Sequence, residues 1–183
     1  MNMRRHLTAA LTFGLALGMV GCDDSFLTTL PQAEVADAAF WQTERDFVMG
    51  VNGAYREVLD TDQFYMEGAS DFLYSKKDWT PNHAYAMGHQ NASSGWSNGI
   101  WGRLFRGISR ANDVLTQLES SDADLSASAR AEIEGQARFL RGYFYHELLW
   151  LFGPVPLYTS VPTIEEARSV SRPERGEVID FIL

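Results

Sequence analysis

The chain has 183 residues, one cysteine, and 15 Lys and Arg against 24 Asp and Glu, for a formal charge of −9 at pH 7. That length suits one domain, and the acidic balance excludes a nucleic-acid partner, which needs a basic face. One cysteine excludes an internal disulfide, and once its sulfur is used no thiolate metal site or cysteine nucleophile remains.

The chain opens with Arg4 and Arg5, followed by an apolar run from Leu7 to Val20. A positive start before a short apolar stretch is an export signal, too short to be a spanning helix. Gly21-Cys22-Asp23-Asp24 comes next and resembles a bacterial lipobox, with Met19 where Leu is usual. The expectation is a signal over 1–21, removed on export, and Cys22 as the lipidated N-terminus. Two or three acyl chains, at about 0.8 kcal/mol per buried methylene, make such attachment effectively permanent. Losing Arg4 and Arg5, and no acid, takes the formal charge from −9 to −11. Electrostatic adhesion to anionic lipid is then disfavoured, so the acyl chains must hold the protein. No later segment has the run of about 18 apolar residues that a second anchor needs.

Residues 22–40 read as a polar tether, with Phe26-Leu27 and Pro31 as the segments able to dock on the body. Residues 41–183 are expected to form the folded domain. A first helix is expected from Thr43 to about Leu59. Thr43 and Asp46 form a capping box with Asp in place of Glu, and Phe47, Val51, Ala54, Tyr55 and Val58 recur at helical spacing. Residues 61–95 lack a sustained period and are rich in Gly, Ser, Asn, Asp and aromatics, with one short helix expected near Ser70–Tyr74. A connection this long inside a compact domain usually has a job.

A second helix is expected from about Trp96 to Glu119, with a stripe of Ile100, Trp101, Leu104, Phe105, Ile108, Ala111, Leu115 and Leu118. A third runs from Ser126 to Phe152, with Ile133, Ala137, Leu140, Phe144, Leu148 and Leu151 in steps of three or four. Phe139 and Tyr143 widen that stripe, so burial on more than one side is expected. Glu134 and Arg138 are spaced as an i,i+4 pair, worth about 0.2–0.5 kcal/mol. Gly153-Pro154 is a stop, and Val155-Pro156-Leu157-Tyr158 reads as extended. A fourth helix starts near Glu174, with Val178, Ile179, Phe181 and Ile182 as its apolar face. It stops while still apolar and uncapped, so the chain reads as the N-terminal portion of something longer. The fold class is mainly α with long irregular loops, and its two long helices make an αα-hairpin of the kind that recurs in α-solenoids, the tetratricopeptide-like type among them. The roughly 34-residue repeat of that solenoid type is not visible in the sequence.

A sugar ring has one apolar face and many hydroxyls, so its site needs exposed aromatic platforms rimmed by amides and carboxylates. The stretch from Asp71 to Asn98 offers Asp71, Trp79, Asn82, Tyr85, Asn91, Trp96 and Asn98. The competing reading is that Trp79, Tyr85 and Trp96 pin a long loop to the core. Asp71 and Asp78 flank a turn with nothing to orient them as a glycosidase pair. His83 and His89 match no common zinc spacing. Arg138 and Arg141 read as structural, pairing with acids or capping carbonyls. Neither a Gly-rich phosphate loop nor a nucleophile elbow occurs, so no cofactor, metal site or catalytic residue is expected.

Four segments carry a family resemblance. Ala137-Arg138-Phe139-Leu140-Arg141-Gly142-Tyr143-Phe144-Tyr145, followed by Leu148–Leu151 and Phe152-Gly153-Pro154-Val155-Pro156-Leu157, resembles the signature of SusD/RagB-family outer-membrane lipoproteins. Cys22-Asp23-Asp24-Ser25-Phe26-Leu27 with Pro31 looks like the family's lipidated start. Trp101 through Ala111-Asn112-Asp113-Val114-Leu115, and Arg172-Pro173-Glu174-Arg175 through Ile182, are similar to its later helix patterns. The resemblance implies helical hairpins packed against a more irregular part, on the outer face of a Bacteroidota-type outer membrane. It implies binding of a nutrient, usually an oligosaccharide and sometimes a peptide, as a lid on a SusC-like TonB-dependent transporter, without catalysis. It places ligand contacts in the loop before the second helix. Trp96 and Asn98 therefore lead the candidates, with Trp79, Tyr85 and Asp71 behind them. The alternative role is a helical scaffold that docks the transporter.

Overall fold

The computed structural model describes residues 40–58, 66–74, 76–91 and 93–183. The expected signal over 1–21, the lipidation site Cys22 and the tether up to residue 39 lie outside the described residues. Among the described residues six helices follow in chain order: α1 Glu44–Tyr55, α2 Pro81–Ala86, α3 Gly95–Ser120, α4 Ala127–Phe152, α5 Ile164–Ser169 and α6 Arg175–Ile182. The only β pairing among the described residues is one antiparallel bridge, Ala69 to Tyr74. No helix among them is long and apolar enough to cross a membrane.

The start of α1 is fixed by Asp46, whose carboxylate accepts from the Thr43 backbone N–H at 2.8 Å and from its hydroxyl at 2.7 Å. The helix ends at Tyr55, short of the expected Leu59, and residues 56–58 are turns. Its last carbonyls are taken by cations from the neighbouring helix. Arg110 donates to the Gly53 carbonyl and Arg103 to the Glu57 carbonyl, each at 2.6 Å. The buried Glu57 carboxylate in turn lies 3.1 Å from Arg110 and 3.6 Å from Arg106. Guanidinium donors at a helix C-terminus meet the orphan carbonyls and the negative end of the dipole together.

Helices α3 and α4 form the expected antiparallel hairpin. Ser126 caps α4 by accepting the Ala129 N–H at 3.1 Å, and Arg130 reaches back to the Leu118 carbonyl. Ile100, Leu104, Ile108, Ala111, Leu115 and Leu118 are buried with Ile133, Ala137, Leu140, Phe144 and Leu148, and α1 adds Phe47, Val51 and Ala54. Each such large side chain contributes about 1.5–3 kcal/mol on burial. Trp101, Phe105 and Leu151 are only half-buried. The predicted widening of the α4 stripe is corrected: Phe139 is 66% exposed, and the second buried side consists of Tyr145 and Leu149. Glu134 and Arg138 meet at 2.7 Å as expected.

Gly153, at φ 72, turns the chain out of α4. The segment that follows is tied across the hairpin by polar groups. Asn112, fully buried, donates to the carbonyls of Tyr158 at 2.9 Å and Ser160 at 3.2 Å, and accepts from Arg141 at 2.9 Å. The Tyr145 hydroxyl accepts the Tyr158 N–H at 2.7 Å. Burial pushes the Tyr145 phenol up to about 12 and lowers Arg141. Arg141 is therefore structural, as expected, and Phe181 of α6 lies beneath its guanidinium at 5.1 Å. On α6 Val178 is buried, but Ile179 is 39% exposed and leaves the predicted apolar face.

Two short helices depart from expectation. Ser70–Tyr74 is not helical, because the Ser70 hydroxyl donates to the Glu67 carbonyl at 2.6 Å and accepts the Phe72 N–H at 3.2 Å. Such local side-chain bonds compete with the helix ladder. Among the described residues of this connection the named helix is α2, opened by extended Thr80 with Pro at its first turn. Helix α5 is a further addition to the expected set. It carries a full capping box, Thr163 N–H to Glu166 at 2.7 Å and Glu166 N–H to the Thr163 hydroxyl at 3.3 Å.

Candidate functional site

The irregular stretch before α3 is organised by α2. Pro81 at N1 sets the helical φ, and the Thr80 hydroxyl closes the entry by donating to the Lys77 carbonyl at 2.7 Å. Asn82 is buried at 3% exposure, and its Oδ1 finds no hydrogen-bond partner among the described residues. One turn on, Tyr85 meets the first turn of α3. Its ring lies edge-on to Trp96, with centroids 4.6 Å apart at 85°, and its hydroxyl is 2.5 Å from the Ser97 hydroxyl. Both rings are half-buried.

Of the five expected ligand contacts, these geometries join Tyr85 and Trp96. Asn98 is exposed, two residues along α3. Trp79 is 71% exposed, with the Lys77 ammonium 5.1 Å over its ring. Asp71 is exposed in the bend between Ala69 and Tyr74. Asn91 is used locally, accepting the Ser93 N–H at 2.9 Å. The His83 ring stands 6.1 Å from that of Tyr74. No cluster of three candidate metal ligands occurs among the described residues.

Two hollows lie where the start of α3 meets the end of α4. The smaller, about 280 Å³, is lined by Ser97, Asn98, Trp101, Phe152 and Arg172. Trp101 is edge-on to Phe152 at 5.2 Å, and the Arg172 guanidinium lies 5.6 Å over the indole. The larger, about 580 Å³, has Ile100 and Leu104 in its wall, with Phe72, Trp150, Glu67 and Glu147 among its other residues. Phe72 is 95% and Trp150 67% exposed. Sequence reasoning did not single out these residues. The signal available was that Trp150 stands off the Leu140, Phe144, Leu148 stripe, so an aromatic was being placed outside the core. The chemistry on offer in both hollows is stacking and hydrogen bonding, from aromatic rings, hydroxyls, one amide, carboxylates and the guanidinium groups of Arg103 and Arg172.

Comparison with known proteins agrees with this architecture. Residues 31–183 match the SusD-like family model described as starch-binding and associating with the outer membrane. A SusD-like protein of Formosa agariphila is 24% identical over 184 residues, covering 92% of this chain and 34% of the relative. A SusD-like protein of Bacteroides fragilis has a crystal structure that superposes with a TM-score of 0.71 at 25% identity, over 84% of this chain and 30% of that one. A laminarin-binding SusD-like protein superposes with a TM-score of 0.68 at 22% identity, over 77% of this chain and 32% of that one. The chain thus spans about a third of the length of the curated relatives it matches. With the family match running from residue 31 through every helix described above, the chain belongs to the SusD-like family.

Proposed function

We propose that this protein is a cell-surface lipoprotein, anchored through Cys22, that captures oligosaccharide and hands it to a SusC-like TonB-dependent outer-membrane transporter. It binds its ligand without chemically altering it. The observation that carries the reading is the Tyr85–Trp96 pair on the first turn of α3, with the Asn98 amide exposed beside it. The edge-on tyrosine and its bond to Ser97 hold the indole in one orientation, so little freedom is lost when a sugar stacks on it. The Asn98 amide can both donate to and accept from sugar hydroxyls. Trp79 supplies a second platform and Asp71 an acceptor in the same stretch. Family membership, and the laminarin-binding relative of the same fold, support a glycan as the ligand.

Affinity electrophoresis through gels containing polysaccharide tests the reading. The protein is expected to be retarded, with Trp96→Ala abolishing the effect. Asn98→Ala, at an exposed position, is expected to weaken it without changing the melting temperature. Retardation that survives both substitutions would remove the site from this segment, and release of reducing sugar would contradict a binding-only role. Incorporation of labelled palmitate, lost in Cys22→Ser, tests the anchor.

A second reading is a helical scaffold that docks the transporter. It is favoured by the larger hollow, where Phe72 and Trp150 stand exposed beside an apolar wall. Glycan binding unaffected by any change in the α3 entry, together with transporter association lost in Trp150→Ser, would support it.

A further inference from the structure

We propose that the smaller hollow is a subsite for an acidic sugar, one bearing a carboxylate or a sulfate ester. The inference deepens the glycan-binding reading and rests on it. Arg172 lines this hollow, and its backbone is biased toward the extended region by Pro173. Its guanidinium lies over the Trp101 indole at 5.6 Å, an attraction that makes no use of its N–H groups as hydrogen-bond donors. Among the described residues no oxygen acceptor or carboxylate meets it. By contrast Arg103, Arg110, Arg130, Arg138 and Arg141 each have an oxygen acceptor within the fold. Five donors on a planar, permanently charged fork match a carboxylate or sulfate two at a time.

The rest of the hollow suits a sugar ring attached to that anion. Trp101 and Phe152 supply apolar walls held edge to face, and Ser97 and Asn98 supply a hydroxyl and an amide. About 280 Å³ is just under the roughly 300 Å³ at which ligand pockets begin, a size for one ring rather than a chain. Ser97 joins this hollow to the proposed platform, since its hydroxyl is bound to Tyr85, the partner of Trp96. A glycan stacked at Trp96 can therefore present a neighbouring residue to Arg172. The acidic balance of the whole molecule opposes an anionic ligand at long range. Screening beyond about 8 Å at physiological salt removes most of that repulsion and leaves the local pair.

Affinity electrophoresis of the protein separates the outcomes, using five polymers: polygalacturonate, its methyl ester, a sulfated galactan, its desulfated form and a neutral β-glucan. At least one acidic polymer is expected to bind about tenfold more tightly than its neutralised form, a difference of about 1.4 kcal/mol. Which acidic polymer is retained identifies carboxylate or sulfate as the anion. Arg172→Gln is expected to erase that difference while leaving neutral-glucan retardation and the melting temperature unchanged. Arg172→Lys, which keeps the charge but not the fork, should be intermediate. Equal retention of acidic polymers by the parent and Arg172→Gln, with the β-glucan still retarded, overturns the subsite and spares the glycan reading. A loss on neutral and acidic polymers alike, with a lowered melting temperature, marks Arg172 as structural and also overturns it. No retardation by any of the five polymers overturns both readings.

Discussion

Gly107 of α3 faces the ring of Phe144, and a Cβ added there would stand 2.4 Å from two of its carbons. Phe144 is fully buried, so the ring has nowhere to retreat. In an open helix the change to Ala gains about 1 kcal/mol, whereas overpacking a filled core costs about 1–3 kcal/mol. The steric term is the larger one here. Gly107→Ala is expected to lower stability by about 1–2 kcal/mol in urea melts. At Gly135, on the exposed side of α4, an added Cβ would meet nothing within 4 Å, and Gly135→Ala should instead gain about 0.5–1 kcal/mol. A Gly107→Ala protein as stable as its parent would show that the helices can slide apart. Neither glycine can be distinguished in the sequence, since both sit in helical patterns and only the opposing helix separates them. Asn112 is similar. Its position on the buried stripe is legible, but its bonds to Arg141, Tyr158 and Ser160 depend on where the chain returns after Gly153.

Elements were legible in proportion to the length of their periodic pattern. The two long helices begin and end within a residue or two of expectation, because each carries a sustained apolar stripe and Ser126 and Gly153 act as cap and stop. The six-residue helices α2 and α5 are too short for a stripe, so only their openings, Thr80-Pro81 and Thr163 with Glu166, mark them. Those caps have a pH signature. The Thr43 hydroxyl holds the Asp46 carboxyl below its ordinary range, and the Thr163 backbone N–H does the same for Glu166. A folded-state pKa below the unfolded one gives stability that is present above the unfolded value and lost as pH falls through the folded one. The first turns of α1 and α5 are therefore expected to fray as pH drops through about 4 and below. The ties between α3 and α4 use an amide, carbonyls and a guanidinium, which keep their protonation there. Amide exchange should accelerate at residues 44–47 and 164–167 before it does in α3 or α4. Asp46→Asn, which keeps an acceptor but cannot titrate, should remove the α1 step. Fraying that begins in α3 would refute this ordering.

At the scale of the whole molecule, the sequence shows which faces are apolar but not what covers them. The site illustrates the same limit. The chemistry of the stretch from Asp71 to Asn98 was legible, yet the pairing of Tyr85 with Trp96 crosses an aperiodic segment. The hollow beside it needs Phe152 and Arg172, which arrive from distant parts of the chain. On α4, Phe139 and Trp150 are eleven residues apart, about three turns, and so share one face, with Tyr143 and His146 between them. The sequence reading expects burial of Phe139 and Tyr143 on that face, but Phe139 is 66% exposed, as Trp150 is at 67%. The molecule also exposes Phe72, at 95%, and Ile164, at 71%. Its net charge of −9 opposes association through them. Salt weakens that repulsion and leaves apolar burial in place. Sedimentation is therefore expected to show self-association that grows with concentration and strengthens from low to high salt. Phe139→Ser with Trp150→Ser should suppress it at every salt concentration while leaving helix content unchanged, because neither side chain belongs to the buried stripe. A parent chain that stays monomeric at high salt and high concentration would mean that this face does not drive association in water.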